Sequence, residues 1–346
     1  MAKLNVGLIG VGRLGRVYAR DLSTRIASTR LVAVADIDEA ALDAVKREFD
    51  IPHAFTDPED LFRDASVDAV VIVTPTNTHR EIAVAAAASG KPIFCEKPPS
   101  IVLDDAIAMR RAIRQSGAFF QLGFMRRFDS GYAAAKARLA DGAIGDAVLF
   151  KSTSRDPYPP SVAYANPRTS GGLIIDMGIH DFDLARWFMG EVATVQAVGG
   201  ALAYPELGAI GDIDNAVVSL VFTSGRLGVV DLTRNGIYGY DISTELLGTK
   251  GTLRVGYLRE TPLMVMTKDG VAHDTVPYFM ERFKDAYTAQ LEDFARNVLE
   301  ERDPPITVDD GIEALRIAVA ATRARETGQP IQVSRAPEEA RDDLRT

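Results

Sequence analysis

Leu4-Asn5-Val6-Gly7-Leu8-Ile9-Gly10-Val11-Gly12-Arg13-Leu14-Gly15 joins a short, largely apolar run to three glycines spaced as GxGxxG. The run has the character of a buried parallel strand. A plausible helix, Leu14 to Leu22, follows it, and a second strand, Leu31 to Ala35, ends in Asp36, 21 residues after Gly15. GxGxxG alone is weak. A strand before it, a helix after it and an acid at that distance together describe a dinucleotide-binding βαβ unit, against the plainer reading of turn glycines and a helix-capping aspartate. Gly10 allows the tight turn, Gly12 lets backbone approach a pyrophosphate, Gly15 lets helix pack on strand, and the helix N-terminus offers free N–H groups. Asp36 accepts from ribose hydroxyls and repels a 2′-phosphate, which favours NAD over NADP. Arg13, beside the adenine end, could pair with a 2′-phosphate or lie over the adenine.

Strand-helix alternation continues through a helix at 40–49, a strand at 69–74, a helix at 78–88, a strand at 92–95, a helix at 103–115 and a strand at 119–123. Repeated βα units mean a doubly wound parallel sheet whose ligands sit beyond the carboxyl ends of its strands. Thr74-Pro75-Thr76-Asn77 and Glu96-Lys97-Pro98 fall on that edge. The residues expected at the cofactor are therefore Gly10, Gly12, Arg13, Leu14, Asp36, Ile37, Thr74, Pro75, Thr76, Asn77, His79, Glu96 and Lys97, although His79 reads more readily as a helix-start residue than as a ligand.

From about residue 146 the pattern changes to strands separated by turns, at 147–153, 192–199, 216–222, 227–233, 242–247 and 252–255, with Ser224-Gly225 as a hairpin turn. Alternation there suits an antiparallel sheet with one wet face. Helical patterns at 281–299 and 308–326 bracket Pro304 and Pro305. The expected division is a Rossmann domain over 1–124, a second domain over 125–334 and a charged tail over 335–346. Between the first two of these strands lies Ser170-Gly-Gly-Leu-Ile-Ile-Asp176-Met-Gly-Ile-His180-Asp-Phe-Asp183-Leu-Ala-Arg-Trp187. If it is helical from Asp176, then Asp176, His180 and Asp183 share one face, and Leu184 and Trp187 hold an adjoining face in the core.

Oxidising a secondary alcohol with a nicotinamide needs a group that takes the hydroxyl proton as hydride leaves. His180 suits this near neutral pH, with Asp176 to orient it, and Lys97 can donate to the substrate oxygen. The plainer readings are a capping Asp176, a core or surface His180 and a solvated Lys97. Four histidines and one cysteine argue against a metal site of Asp176, His180 and Asp183.

Composition bounds the rest. The 346 residues suggest about two domains. With 47% apolar and 25% charged residues the chain has a globular composition, and a net charge of −9 speaks against a nucleic-acid partner. Cys95, the one cysteine, cannot form an intrachain disulfide and reads as structural. No apolar run nears the roughly 18 residues of a membrane span, and residues 1–9 lack a signal-peptide plan. Cytoplasm is the expected location.

The GxGxxG with Asp36, the Glu96-Lys97-Pro98 corner and Gly171-Gly-Leu-Ile-Ile-Asp-Met-Gly-Ile-His-Asp181 resemble the Gfo/Idh/MocA oxidoreductases over nearly the whole chain. Phe94-Cys-Glu-Lys-Pro98, Gln121-Leu-Gly-Phe-Met-Arg-Arg-Phe-Asp-Ser-Gly-Tyr132 and Gly239-Tyr-Asp-Ile242 are most similar to the inositol 2-dehydrogenases among them. The resemblance implies α/β plus α+β architecture: a Rossmann domain, then a domain with an open, mostly antiparallel sheet whose outer face commonly makes homotetramers. It implies Lys97, Asp176 and His180 as catalytic residues, His180 being the acid/base. It also implies that Arg127, the Arg155-Asp156-Pro157 turn and Tyr240 face a polyol or sugar, alongside Lys97, Asp176 and His180. Asp156 departs from the asparagine of the inositol enzymes, and a charged acceptor in place of an amide changes which hydroxyls can donate. The implied activity is NAD-dependent oxidation of a ring alcohol of myo-inositol, scyllo-inositol or a similar pyranose. Alternatives are a sugar dehydrogenase, an enzyme using NAD transiently, and a non-catalytic NAD- and sugar-binding regulator.

Overall fold

Apolar runs bounded by glycine and proline become six short parallel strands in a computed structural model that describes residues 3–333. They are β1 (Leu4–Ile9), β2 (Thr29–Ala35), β3 (His53–Phe55), β4 (Ala69–Ile72), β5 (Ile93–Glu96) and β6 (Phe120–Gly123), ordered β3-β2-β1-β4-β5-β6. All four residues of β4 and of β5 are buried, so both faces of the sheet are covered. The order steps outward from β1 in both directions, which places the reversal of direction, and the ligand crevice of such sheets, at β1 and β4. Helix Arg13–Arg20 runs on into a wider π turn, Asp21–Arg25, a shorter regular helix than the sequence pattern suggests.

The chain divides into two compact units. The first takes residues up to Ala133 with Arg168–Gly171 and Phe279–Leu315. Helix Lys284–Leu299 thus joins the Rossmann sheet: the rings of Phe94 and Phe294 lie 5.7 Å apart and those of Tyr18 and Tyr287 6.0 Å apart. Brief elements that sequence periodicity does not resolve include β3 and the helix Pro58–Arg63, whose Asp57 accepts from Glu59 N–H as a cap.

The second unit takes Ala134–Pro167, Gly172–Tyr278 and residues 316–333. Its sheet comprises β7 (Ala147–Arg155), β8 (Val192–Gly200), β9 (Asn215–Phe222), β10 (Leu227–Thr233), β11 (Asp241–Gly248), β12 (Thr252–Val255) and, after a separate small hairpin of β13 (Val265–Thr267) and β14 (Gly270–Ala272), β15 (Ile331–Gln332). The order is β12-β11-β7-β10-β9-β8-β15, and only β7 with β10 is parallel. Gly225, at φ +79°, turns β9 into β10, as Ser224-Gly225 suggests. Helix Gly178–Met189 packs on β7 and β10, where the Ser152 and Ser154 hydroxyls donate to Asp181, at 2.6 and 2.8 Å. The opposite face alternates into solvent. The charged tail at 335–346 lies outside the described residues. No helix among the described residues is long and apolar enough to cross a membrane.

Candidate active site

The cofactor edge of the first unit is built by close backbone packing. Gly10 has φ +94°, and a Cβ there would stand 2.8 Å from the Val73 carbonyl oxygen. One at Gly15 would stand 2.1 Å from the Gly10 carbonyl oxygen, so glycine is required where helix crosses strand. Gly12 has nothing within 4 Å of the corresponding point and caps helix Arg13–Arg20 without a side-chain hydrogen bond. Open space over uncapped N–H groups fits a pyrophosphate. Asp36, directly after β2, accepts from Val11 N–H at 2.8 Å and from Asp38 N–H at 3.0 Å, which locks its carboxylate beside the glycine loop. Ile37 beside it is exposed. The Arg13 guanidinium lies 5.3 Å from the Phe279 ring centroid. These residues fit a bound dinucleotide.

Thr74-Pro75-Thr76-Asn77 follows β4 and starts helix Thr76–Ala88. His79 is buried in its first turns, with Nδ1 2.8 Å from the Pro98 carbonyl oxygen and Nε2 2.8 Å from that of Thr74. The ring therefore ties the loop after β4 to the corner after β5. Burial pushes its pKa below the usual imidazole range, the Lys97 charge acts in the same direction, and the two carbonyls act against it.

Glu96 closes β5 with its side chain turned inward. Tyr18 Oη donates to Oε1, Gln290 Nε2 donates to the same oxygen at 3.1 Å, and Lys97 N–H donates to Oε2 at 3.2 Å. Burial raises its pKa, and these donors with the nearby Lys97 charge offset part of the rise. A Cβ at Gly123 would meet Oε1 at 2.8 Å, so β6 passes close behind the corner. Lys97 precedes a cis proline, Pro98. Arg127 follows β6 in the turn Met125–Phe128 and pairs with Asp310 at 3.0 Å.

The second unit carries the other expected residues. Asp176 is the last residue of helix Gly172–Asp176, and His180 sits in the first turn of helix Gly178–Met189. Met177 between them keeps right-handed helical dihedrals, so the chain follows a helical path with one break where the sequence suggests one helix. His180 N–H reaches back to the Met177 carbonyl at 3.4 Å, and its side chain is buried, as is that of Asp183. Arg155, at the end of β7, donates through Nε and Nη2 to Asp231, and through Nη1 to Tyr238 Oη at 3.0 Å. Asp231 foremost holds its pKa above the usual guanidinium value. Asp156 is fixed through its backbone, its N–H to Thr233 O at 2.9 Å and its carbonyl to Gly236 N–H at 2.8 Å. Tyr240 is buried, its ring 5.7 Å from Tyr278 and edge-on.

Two groups escape the sequence reading. Tyr18 and Gln290, 272 residues apart, meet at Glu96, and Arg234 stands 3.7 Å from Asp176. Arg234 follows β10 with no motif around it, and Gln290 lies on a helix that looks merely amphipathic, so neither leaves a local signal.

Similarity to known proteins agrees with this architecture. The NAD-binding Rossmann fold of the GFO_IDH_MocA oxidoreductase family matches residues 4–124, and the family's C-terminal alpha/beta domain matches residues 136–333. Myo-inositol 2-dehydrogenase of Thermotoga maritima is 38% identical over 332 residues, 95% of this chain and 98% of its own length. The scyllo-inositol 2-dehydrogenase (NAD(+)) of Bacillus subtilis is 36% identical over 96% of each chain. Among solved structures, scyllo-inositol dehydrogenase from Lactobacillus casei with bound NAD(H) and scyllo-inositol superposes with a TM-score of 0.91 at 35% identity, over 96% of this chain and 99% of that one. The chain therefore belongs to the Gfo/Idh/MocA oxidoreductase family, with an NAD-binding Rossmann fold at its N-terminus.

Proposed function

We propose that this protein is an NAD-dependent cyclitol dehydrogenase that oxidises a ring secondary alcohol of myo- or scyllo-inositol to the ketone. The observation that carries the reading is a Gly12 cradle with a locked Asp36 in the same chain as a buried His180 four residues after Asp176. NAD held by the Gly12 cradle and Asp36 would supply the hydride acceptor for the carbinol hydrogen. His180 takes the hydroxyl proton, Asp176 orients it and steadies its charged form, and Lys97 donates a hydrogen bond to the oxygen as negative charge develops there. Arg127, Arg155, Asp156 and Tyr240 choose the pattern of ring hydroxyls. Asp36 excludes the 2′-phosphate of NADP, and Arg13, set against Phe279, does not counter it.

Asp156 favours a second reading within the same chemistry. A carboxylate where the resemblance implies an amide accepts from hydroxyls but donates to none, which suits a pyranose of different hydroxyl pattern. The exposed Val198, Val217, Val221, Leu227 and Leu247 on one face of the seven-stranded sheet support a homo-oligomer formed through that face, and a tetramer in the cytoplasm is the arrangement that completes the proposal.

A spectrophotometric screen of cyclitols and of D- and L-pyranoses, with NAD and NADP in parallel, tests the reading. NADH formation from an inositol with little NADPH formation is expected. Absence of reduced cofactor with every substrate overturns the function, and equal rates with NADP overturn the role given to Asp36.

A further inference from the structure

Helix Gly172–Asp176 has five residues, too few to persist unaided. Its N-terminal end is held by Asp212, whose Oδ1 accepts from Leu173 N–H at 3.0 Å. Gly172 permits this approach: its φ is +74°, and a Cβ would lie 2.6 Å from that same oxygen. The second oxygen of Asp212 takes Nη1 of Arg234, and Nη2 of the same guanidinium lies 3.7 Å from Oδ2 of Asp176, the last residue of the helix. The buried Asp212–Arg234 pair therefore hydrogen-bonds the helix at its N-terminal end and stands within ion-pair range, though beyond hydrogen-bond range, of its last residue, with Arg234 Nη2 making no hydrogen bond among the described residues.

The burial is nearly complete. The Arg234 and Asp212 side chains are 1% and 4% exposed, and that of Asp176 is 17% exposed. A buried ion pair is a poor source of stability, since an apolar pair of like volume commonly serves as well. What it supplies is direction, because a planar guanidinium presents two N–H edges in fixed relation. Its mounting is firm: Arg234 N–H donates to the Asp214 carbonyl at 2.8 Å, and the Asp214 carboxylate in turn accepts from Leu202 and Ala203 N–H at 2.8 and 2.9 Å. Asp212 and Arg234 leave the paired ends of β9 and β10, where Asn215 faces Thr233.

We infer that Arg234 is a positioning residue for the acid/base pair: with Asp212 it braces helix Gly172–Asp176 at both ends and sets where the Asp176 carboxylate stands. The inference rests on the function proposed above. It acts through Asp176, so Arg234 itself touches neither substrate nor cofactor.

The test is a double-mutant cycle in the full-length protein with myo-inositol and scyllo-inositol, combined with hydrogen exchange over residues 172–180. Arg234→Met should lower kcat by about 100-fold through misplacement of the carboxylate, with KM and NAD affinity changed by less than about threefold. In an Asp176→Asn background the same change should cost less than about threefold more, because the residue through which it acts is gone. Arg234→Lys, which keeps the cation but cannot reach both carboxylates at once, should lose an intermediate amount and serves in the cycle if Met at 234 does not fold. Losses that multiply, or a fully active Arg234→Met protein, overturn the brace. If the unmodified enzyme turns over neither inositol nor any pyranose of the screen, the proposed function fails by itself. Exchange then decides alone: faster exchange at 172–176 in the variant supports the brace, and unchanged exchange overturns it.

Discussion

The two sheets bury their apolar residues differently. In the six-stranded sheet consecutive positions are buried, Val70, Val71 and Ile72 in β4 and Ile93, Phe94 and Cys95 in β5, so no face is left for solvent. In the seven-stranded sheet alternate positions are buried. Val218 and Leu220 point inward, while Val217 and Val221 of the same strand are 44% and 40% exposed. Function must then sit at the strand ends of the first sheet, where loops escape the packing. The second sheet offers whole faces: one carries the helix with Asp181 and His180, and the other is exposed.

Removing one proposed catalytic group from each unit gives the largest expected effect. Lys97→Ala at the end of β5 and His180→Ala on the helix over the second sheet should each lower turnover by about 10²–10⁴-fold. NAD affinity, read by fluorescence titration, should stay within a few-fold. Parallel loss of affinity and turnover would assign both residues to folding or to the cofactor pocket instead.

Gly15→Ala probes the strand end where backbone packs on backbone. With a Cβ 2.1 Å from the Gly10 carbonyl oxygen, the change should cost about 2–3 kcal/mol and weaken NAD binding, measured by urea unfolding and titration. A stable protein with normal affinity would show that the loop yields more easily than this close approach implies.

The contrast in burial itself can be broken with two valines. Val71→Ala removes buried volume from the first sheet and should cost about 2 kcal/mol. Val217→Ala should cost within about 0.5 kcal/mol, whereas Val217→Lys should lower the mass seen by light scattering without unfolding the chain. An unaltered mass would leave that face without a role in association.

The smallest effect concerns pH. Glu96 is held above the ordinary glutamate value, so the folded chain binds its proton more tightly than the unfolded chain does. The associated stability is fully present below the unfolded value and is lost as pH rises through the folded one. Glu96→Gln should therefore flatten the fall in unfolding free energy as pH rises above the ordinary glutamate range. An unchanged slope would mean that Tyr18, Gln290 and Lys97 N–H hold the carboxylate as well as water does.

Much of this molecule is legible without coordinates. The dinucleotide unit is a local pattern, confined to Leu4–Asp36, because strand, turn, helix N-terminus and ribose acid must follow one another at fixed distances along the chain. The change from continuous apolar runs to alternation likewise reports sheets covered on two faces or on one. The break at Met177 is less legible, since residues on either side keep helical spacing.

Sequence alone therefore determined the Rossmann unit and the second sheet, which rest on periodicity and short-range spacing, and it carried the motifs of the family resemblance. Only tertiary structure decided that Tyr18 and Gln290 stand behind Glu96, that His79 ties Thr74 to Pro98, and that Asp212 and Arg234 grip helix Gly172–Asp176. These interactions join groups that the chain separates by up to 272 residues. Burial, which makes each polar group need a partner, selects that partner by position in space and leaves no periodic trace in the sequence.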